Sequence, residues 1–390
     1  MVAVLPGITP DAGTETSFVA VAEELTGLGV RFHLVLLTDR QTLVPPLREL
    51  GVQIHDLSGH RTLLGRTRAI RSLVADLRPD VVHASLHEAT IPTQLALVGT
   101  GVPLLVSWVN TNYGEGRLGD PGVTAWKLGG VRLVEGLLGR ASGSWYHAVT
   151  PAVGLLNGQA IHAPMRRVLL GERGRDPDRF PFRDGRRAPR PGGLPVDEDG
   201  EMVLAVGRQE HQKDYPLLLR SFDRLARRRP GVELVVAGRP GAATPEIERI
   251  RAGLSAADRI HLVGQRDDVP DLLRSADVVV CSSRREGAAG ALVEAMATGV
   301  PVVSVRVAGL EGVLLDGENS VVVARDDLDL GIEQVLDDAD LAERLTRTAR
   351  RDFEARFTTT TAATRMRDLY TAVARTARGE RPQGRLLVTG

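Results

Sequence analysis

The sequence predicts an α/β chain of two doubly wound, Rossmann-like domains facing a central cleft. Three observations carry that expectation. Short, continuous apolar runs alternate with helical patterns in both halves of the chain. An irregular stretch rich in Arg, Pro, Gly and Asp separates the halves, and 390 residues suffice for about two cores. Continuous apolar runs, as opposed to strict alternation, are what parallel strands covered on both faces require.

Taken in order, Val2–Leu5 reads as the first strand. A Gly/Pro/Thr loop over 6–14 follows, then a helix in which Phe18, Val19, Val21, Ala22 and Leu25 recur at helical spacing until Gly27 and Gly29 end it. Strands are expected at 32–37, 52–57, 81–84 and 104–109, with helices at 44–50, Leu63–Leu77 and 91–97. Between about 166 and 201 the pattern breaks, which marks the interdomain connection. It restarts with strands at 202–206, 233–237, 260–263, Val278–Cys281 and Val302–Val305. Helices alternate with them at 217–227, 245–254, Val269–Ser275 and 291–298. A charged helical stretch from 328 to about 374 closes the fold. The expected domains are therefore 1–185, 186–357 and a final 358–390 segment whose helix returns toward the first domain and ends in a tail.

Composition excludes several functions. Lys and Arg number 49, as do Asp and Glu, so no basic excess points to nucleic acid. Cys281 is the only cysteine, which excludes intrachain disulfides and Cys-based zinc sites and suits a reducing cytoplasm. No basic leader precedes an apolar segment at the N-terminus. No run of about 18 apolar residues occurs either, so neither a signal peptide nor a transmembrane span is expected, and peripheral membrane contact is left open.

Two segments carry chemistry. In 276–305 a strand leads to Glu286, then to the small residues Gly287, Ala288, Ala289 and Gly290, then to a helix that begins near Ala291 and carries Glu294. Small side chains at a helix entrance let an anion approach the unbonded N–H groups and the positive end of the dipole. The two carboxylates would repel a phosphate, so their partners are the hydroxyls attached to either end of it. A tight turn with two solvated glutamates is the plainer alternative. In the other segment, the strand ending at Val206 delivers Arg208 and Lys213 to the same end of the domain, and Lys127 and Lys213 are the only lysines in the chain. Two charge-assisted contacts at about 1.5 to 3 kcal/mol each could hold a diphosphate.

These motifs, GR-x4-K over 207–213 and E-x7-E over 286–294 followed by AMATGVPVV, resemble the retaining GT-B glycosyltransferases of the family-4, glycosyl transferases group 1 type. PDAGTE (10–15), DVVHA (80–84), GVPLLVSWVN (101–110), HAVT (147–150) and HLVGQRDDVPDLL (261–273) extend the resemblance over residues 2–372. The resemblance implies that Arg208 and Lys213 hold the donor diphosphate, opposite the N–H groups of Gly290 and Ala291, with Gly13 approaching from the first domain. It implies that Glu294 accepts from the ribose hydroxyls, Glu286 from the transferred sugar, and that the base lies against 266–269, between Arg266 and Val269. His83, Asn110 and His147 become candidate acceptor or sugar contacts, and Glu286, Lys213 and Arg208 the catalytic set. No metal and no cofactor beyond the nucleoside-diphosphate sugar is implied. The sequence departs from the family at Asp214, where Gly is usual, and at Ala288-Ala289, where Phe-Gly is usual. Val109-Asn110 stands where many relatives place a histidine.

Other signals are set aside. Gly114, Gly116 and Gly119 match a dinucleotide string in the wrong context, because they do not follow the first strand, Asp120-Pro121-Gly122 delays any helix, and Glu135 falls in an expected helix instead of at a strand end. His83 and His87 have metal-like spacing, but His83 ends a strand, where residues four apart need not share a face. Arg61, Arg66, Arg68 and Arg71 read as a solvated helix face more readily than as an anionic acceptor site, and the Trp108, Tyr113, Trp126, Trp145 and Tyr146 cluster reads as core as easily as a sugar platform. The expected function is retaining transfer of a sugar from a UDP-sugar, or a GDP-sugar, to a hydroxyl acceptor. The alternatives are a sugar-nucleotide epimerase of the same architecture and a nucleotide-sugar-binding protein without turnover.

Overall fold

In the computed structural model the described residues are 1–9, 13–113, 117–118, 120, 122–287, 289–377 and 379. The chain divides into two compact units, Met1–Gly174 with Thr358–Gly390, and Arg175–Phe357.

The first unit begins with β1 (Val2–Leu5), α1 (Gly13–Gly27), β2 (His33–Leu36), α2 (Val44–Glu49), β3 (Gln53–Asp56), α3 (Leu63–Leu77), β4 (Val82–Ser85), α4 (His87–Leu97) and β5 (Leu104–Trp108). It continues with α5 (Ala125–Ala141), β6 (Trp145–Ala148), α6 (Pro151–Ala160) and β7 (Val168–Leu170). All strands pair in parallel in the order β3-β2-β1-β4-β5-β6-β7. The chain therefore reverses its winding between β1 and β4, where Val2 pairs with Val82 and Val4 with Ala84. Every residue of β1, β4, β5 and β6 is buried, which explains the uninterrupted apolar run of β1 and the largely apolar β5, while β4 and β6 carry buried histidines. Helix α5 contains Glu135, as expected; β6, α6 and β7 are additions to the sequence reading, and β7 lies inside the stretch expected to be connection.

The second unit runs β8 (Glu201–Val206), α7 (Tyr215–Arg228), β9 (Val232–Ala237), α8 (Thr244–Ala252), β10 (Ile260–Gly264), α9 (Val269–Ser275), β11 (Val278–Cys281) and α10 (Gly290–Thr298). β12 (Val302–Val305), β13 (Val321–Val323), α11 (Leu328–Asp337) and α12 (Ala339–Arg356) follow. Its sheet is also parallel, in the order β10-β9-β8-β11-β12-β13, so winding reverses between β8 and β11. Helix α7 shows why the pattern was readable: Leu218, Leu219, Phe222, Leu225 and Ala226 are buried at helical spacing, each large one contributing about 1.5 to 3 kcal/mol.

Residues 175–185 pack within the second unit, on the far side of the expected boundary at 185. The reason is Arg183. Its guanidinium donates to the carbonyls of Arg274 (2.9 Å), Ala276 (2.5 Å) and Gly299 (3.2 Å), and its N–H to that of Thr298. Helix α13 (Thr359–Ala377) belongs to the first unit, where Ala363, Leu369 and Val373 join Leu25 and Leu105 in one apolar cluster.

Candidate donor site and the histidine chain

Ligands of doubly wound sheets bind beyond the carboxyl ends of the strands where winding reverses. In the second unit those strands are β8 and β11, and they are the strands that deliver the two motifs. After β8, Gly207 adopts φ +154, a conformation that L side chains rarely take, and a Cβ there would crowd Lys213 Cε at 2.8 Å, so glycine suits the place where the lysine stem crosses the strand end. Lys213 closes a short 3-10 turn, His211–Lys213, and Ser282 donates to its carbonyl at 2.8 Å. The Lys213 ammonium lies 2.7 Å from Glu286 Oε1, an oxygen that also accepts from Ser283 Oγ at 2.7 Å.

Glu286 is 6 % exposed at its side chain and Lys213 24 %. Burial works against the lysine charge, but Glu286 outweighs it and pushes the pKa above the ordinary value, so the pair is ionic. Burial raises both the Tyr215 phenol and the Cys281 thiol beside it, which leaves the cysteine unreactive. A cavity of about 20 Å³, room for one water, lies among Lys213, Tyr215, Ser283, Glu286 and Ala289.

Asp214 takes the left-handed conformation (φ 49, ψ 46), which explains the glycine usual at this place. Its carboxylate is held by Arg284 at 2.9 Å and by Arg325, which supports a strained position that glycine would occupy freely. Ala289 is likewise left-handed (φ 37) as it caps α10, and Ala288 lies outside the described residues. Helix α10 starts at Gly290, so the N–H groups of Gly290 and Ala291 have no partner within the helix.

Glu294 lies one turn into α10, and its Oε1 accepts from Arg175 Nε at 2.6 Å. The same guanidinium rests on the helix entrance, where a Cβ on Gly290 would lie 2.0 Å from Arg175 Nη2. Arg175 was missed by sequence reasoning, since nothing separates it from the many arginines of its stretch. Arg208 lies at the same strand end, half exposed, 3.9 Å from Glu210. Arg266 pairs with Asp268 (Nε to Oδ1, 2.8 Å) ahead of Val269, the first residue of α9. Glu286, Gly287, Gly290 and Lys213 thus converge beyond β8 and β11, with Arg208 beside them. Gly13 belongs to the first unit, where it opens α1.

In the first unit the candidate histidines lie on neighbouring strands and are joined by a residue that the sequence reading did not single out. Ser107 Oγ is 2.7 Å from His83 Nε2 and 2.7 Å from His147 Nδ1. The chain continues from His83 Nδ1 to Tyr370 OH (2.9 Å) and from His147 Nε2 to the Gly171 carbonyl (2.6 Å). A carbonyl only accepts, so direction is fixed: His147 donates to Gly171, Ser107 to His147, His83 to Ser107 and Tyr370 to His83. Burial holds His83 down at about 3 and His147 at about 4, so both rings are neutral. Every ring nitrogen is engaged. A cavity of about 70 Å³ opens beside this chain, lined by Glu15, Ser17, Ser85 and Arg173 among others. Asn110 is held by its loop: Oδ1 accepts from the Thr111 N–H (2.8 Å) and its carbonyl from Asn157 Nδ2 (2.8 Å).

The signals set aside resolve as follows. Trp108 stacks on Tyr146 at 4.2 Å and, with Tyr113 and Trp145, is core, whereas Trp126 is 75 % exposed. Arg66 and Arg71 are spent on main-chain carbonyls. Among the described residues no group of three His, Cys, Asp or Glu could hold a metal, and Gly114, Gly116 and Gly119 lie outside them.

Two family models match the chain, glycosyl transferase 4-like domain over residues 12–156 and glycosyl transferases group 1 over 190–352. The chain belongs to the group 1, GT4-like glycosyltransferases. Their second model covers both motifs of the candidate site. The chain is 32 % identical to the lipopolysaccharide core biosynthesis glycosyltransferase LpsE of Rhizobium meliloti, over 39 % of the chain and 44 % of that protein. Two further relatives are matched over 40 % and 46 % of their length, so the chain's matches span less than half of each of these proteins. It is 29 % identical to the glycogen synthase of Mycobacterium tuberculosis, over 79 % of the chain and 72 % of that protein. Its fold is GT-B: the structure of Anabaena HepE with UDP and glucose superposes with a TM-score of 0.76 over 95 % of this chain and 99 % of that one, at 16 % identity.

Proposed function

We propose that this glycosyltransferase moves a sugar from a nucleoside-diphosphate sugar, UDP favoured over GDP, to a hydroxyl acceptor with retention at the anomeric carbon. The observation that carries the reading is the Lys213–Glu286 pair set against the open end of α10 at the winding reversal of the second unit. A diphosphate there would meet the Lys213 ammonium, Arg208 and the N–H groups of Gly290 and Ala291. Glu286, neutralised by the lysine, would remain able to accept from sugar hydroxyls without repelling the phosphates. Glu294 would exchange part of its contact with Arg175 for the ribose hydroxyls.

The bond from the anomeric carbon to the diphosphate oxygen breaks as the acceptor oxygen bonds to that carbon from the same face, and the acceptor proton leaves with the diphosphate. Negative charge grows on the leaving group, where the cations and oriented N–H groups already stand, so their contribution is larger in the transition state than in the ground state. The nucleoside-diphosphate sugar is a co-substrate; these groups supply the counter-charge without a metal or cofactor. The HepE complex, which contains UDP and glucose, supports the uridine donor. Engagement of all four ring nitrogens of His83 and His147 speaks against an epimerase, which needs an available acid and base. The lone buried cysteine, Cys281, suits the reducing cytoplasm that this reading proposes.

Incubation with UDP-glucose, GDP-mannose and candidate acceptors, followed by NMR of the products, tests this reading. It predicts a glycoside with the donor's anomeric configuration. An epimerised free nucleotide sugar, an inverted glycoside or bound donor without turnover would each overturn it.

A further inference from the structure

Arg175 stands where a cation is electrostatically out of place. Its guanidinium lies over the entrance of α10, so close to Gly290 that a Cβ there would come within 2.0 Å of Nη2. Helix entrances carry the positive end of the dipole and attract anions. One carboxylate compensates in part: Glu294 Oε1 accepts from Nε at 2.6 Å, and only 11 % of the arginine side chain is exposed. The backbone holds this arrangement, because the Arg175 N–H donates to the carbonyl of buried Phe357 at 2.7 Å. Glu294 lies a turn inside the helix, however, so the entrance itself brings a guanidinium together with N–H groups that have no partner within the helix, all of them donors. An acceptor-rich anion resolves that crowding. The charges of the site lead to the same place. Arg208 and Lys213 are matched by Glu286 and Glu294, and Glu210 stands 3.9 Å from Arg208. The motif residues alone therefore offer a diphosphate no excess of positive charge, and Arg175 supplies the cation that is short.

We propose that Arg175 is a third cationic ligand of the donor diphosphate. Its planar fork would keep Nε on Glu294 and give an Nη group to a phosphate oxygen at the entrance of α10, so that one side chain couples the carboxylate assigned to the ribose with the phosphate beside it. Gly290 is then the small residue that the guanidinium requires, since a side chain there would displace it. The inference rests on the donor reading proposed above and adds to it a residue outside both motifs.

Ligand-observed NMR titrations of UDP and uridine, with GDP and guanosine as a second pair, against the full wild-type chain, Arg175→Gln and Arg175→Lys test it. Arg175→Gln should weaken the diphosphate at least roughly tenfold, while the nucleoside, which has no phosphate, stays within about twofold of its wild-type affinity. Arg175→Lys keeps a cation opposite Glu294 and so guards the fold; a single ammonium lacks the fork, and the diphosphate should still weaken at least roughly threefold. Wild-type diphosphate affinity in both variants would overturn the proposal. So would parallel losses of diphosphate and nucleoside, which mark a residue that only steadies Glu294. Failure of the wild-type chain to bind either UDP or GDP is a distinct result, which would remove the donor reading itself and this proposal with it.

Discussion

At the Lys213–Glu286 contact, two opposite charges 2.7 Å apart are both largely withdrawn from water. Removing either partner leaves the other buried without compensation, the costly half of such a pair. Glu286→Ala should lower the transfer rate more than it lowers UDP affinity, since its remaining partner would be the sugar; equal losses in kcat/KM and UDP affinity would contradict that placement. Lys213→Ala should reduce turnover at least roughly tenfold, and unchanged steady-state kinetics would remove the lysine from the reaction. The sequence made these residues legible because lysine is rare here and the glutamates bracket four small residues. Arg175 was illegible for the opposite reason, and its partner Glu294 lies 119 residues away in sequence.

The histidine chain ties β4, β5, β6 and α13 through one hydroxyl. Ser107→Ala would leave a buried donor on His83 and a buried acceptor on His147 unmet, at about 1 to 3 kcal/mol. A lower urea midpoint with an unchanged slope is expected; an unchanged midpoint would show the hydroxyl to be dispensable. Strands were readable where buried apolar residues run together, as in β1 and β11, but not in β6, whose buried Trp-Tyr-His-Ala is no apolar run. Helix α5 was expected around Glu135, but its orientation was not legible, because Leu133, Val134 and Leu137 face outward and Gly136 and Gly139 inward. Those glycines have physical work: a Cβ on Gly136 would lie 2.6 Å from the Ile161 carbonyl, and one on Gly139 2.0 Å from Tyr146 OH. Close approach of α5 to its neighbours required residues that propensity reads as helix breakers.

For the whole molecule, the neutral histidines make stability depend on pH. Their folded pKa values, about 3 and about 4, lie below the ordinary 6.5, so the unfolded chain binds more protons in between. Their contribution is complete above pH 6.5 and is lost as pH falls toward those folded values, with a slope of up to about 1.4 kcal/mol per pH unit for each ring. Chemical denaturation from pH 7 to pH 5 should show stability falling, and falling less steeply in His83→Asn with His147→Gln; parallel profiles would contradict buried neutral rings. The two-unit architecture was legible from alternation and length. The boundary was not, because Arg183 recruits 175–185 to carbonyls far away in sequence.

The central claim is that a nucleoside diphosphate binds where β8 and β11 reverse the winding of the second sheet. Calorimetric titration of UDP into the wild-type chain and into Lys213→Ala tests it most directly. Saturable wild-type binding, weakened at least roughly tenfold in the variant, is the predicted result; equal affinity in both, or no binding to either UDP or GDP, would contradict it.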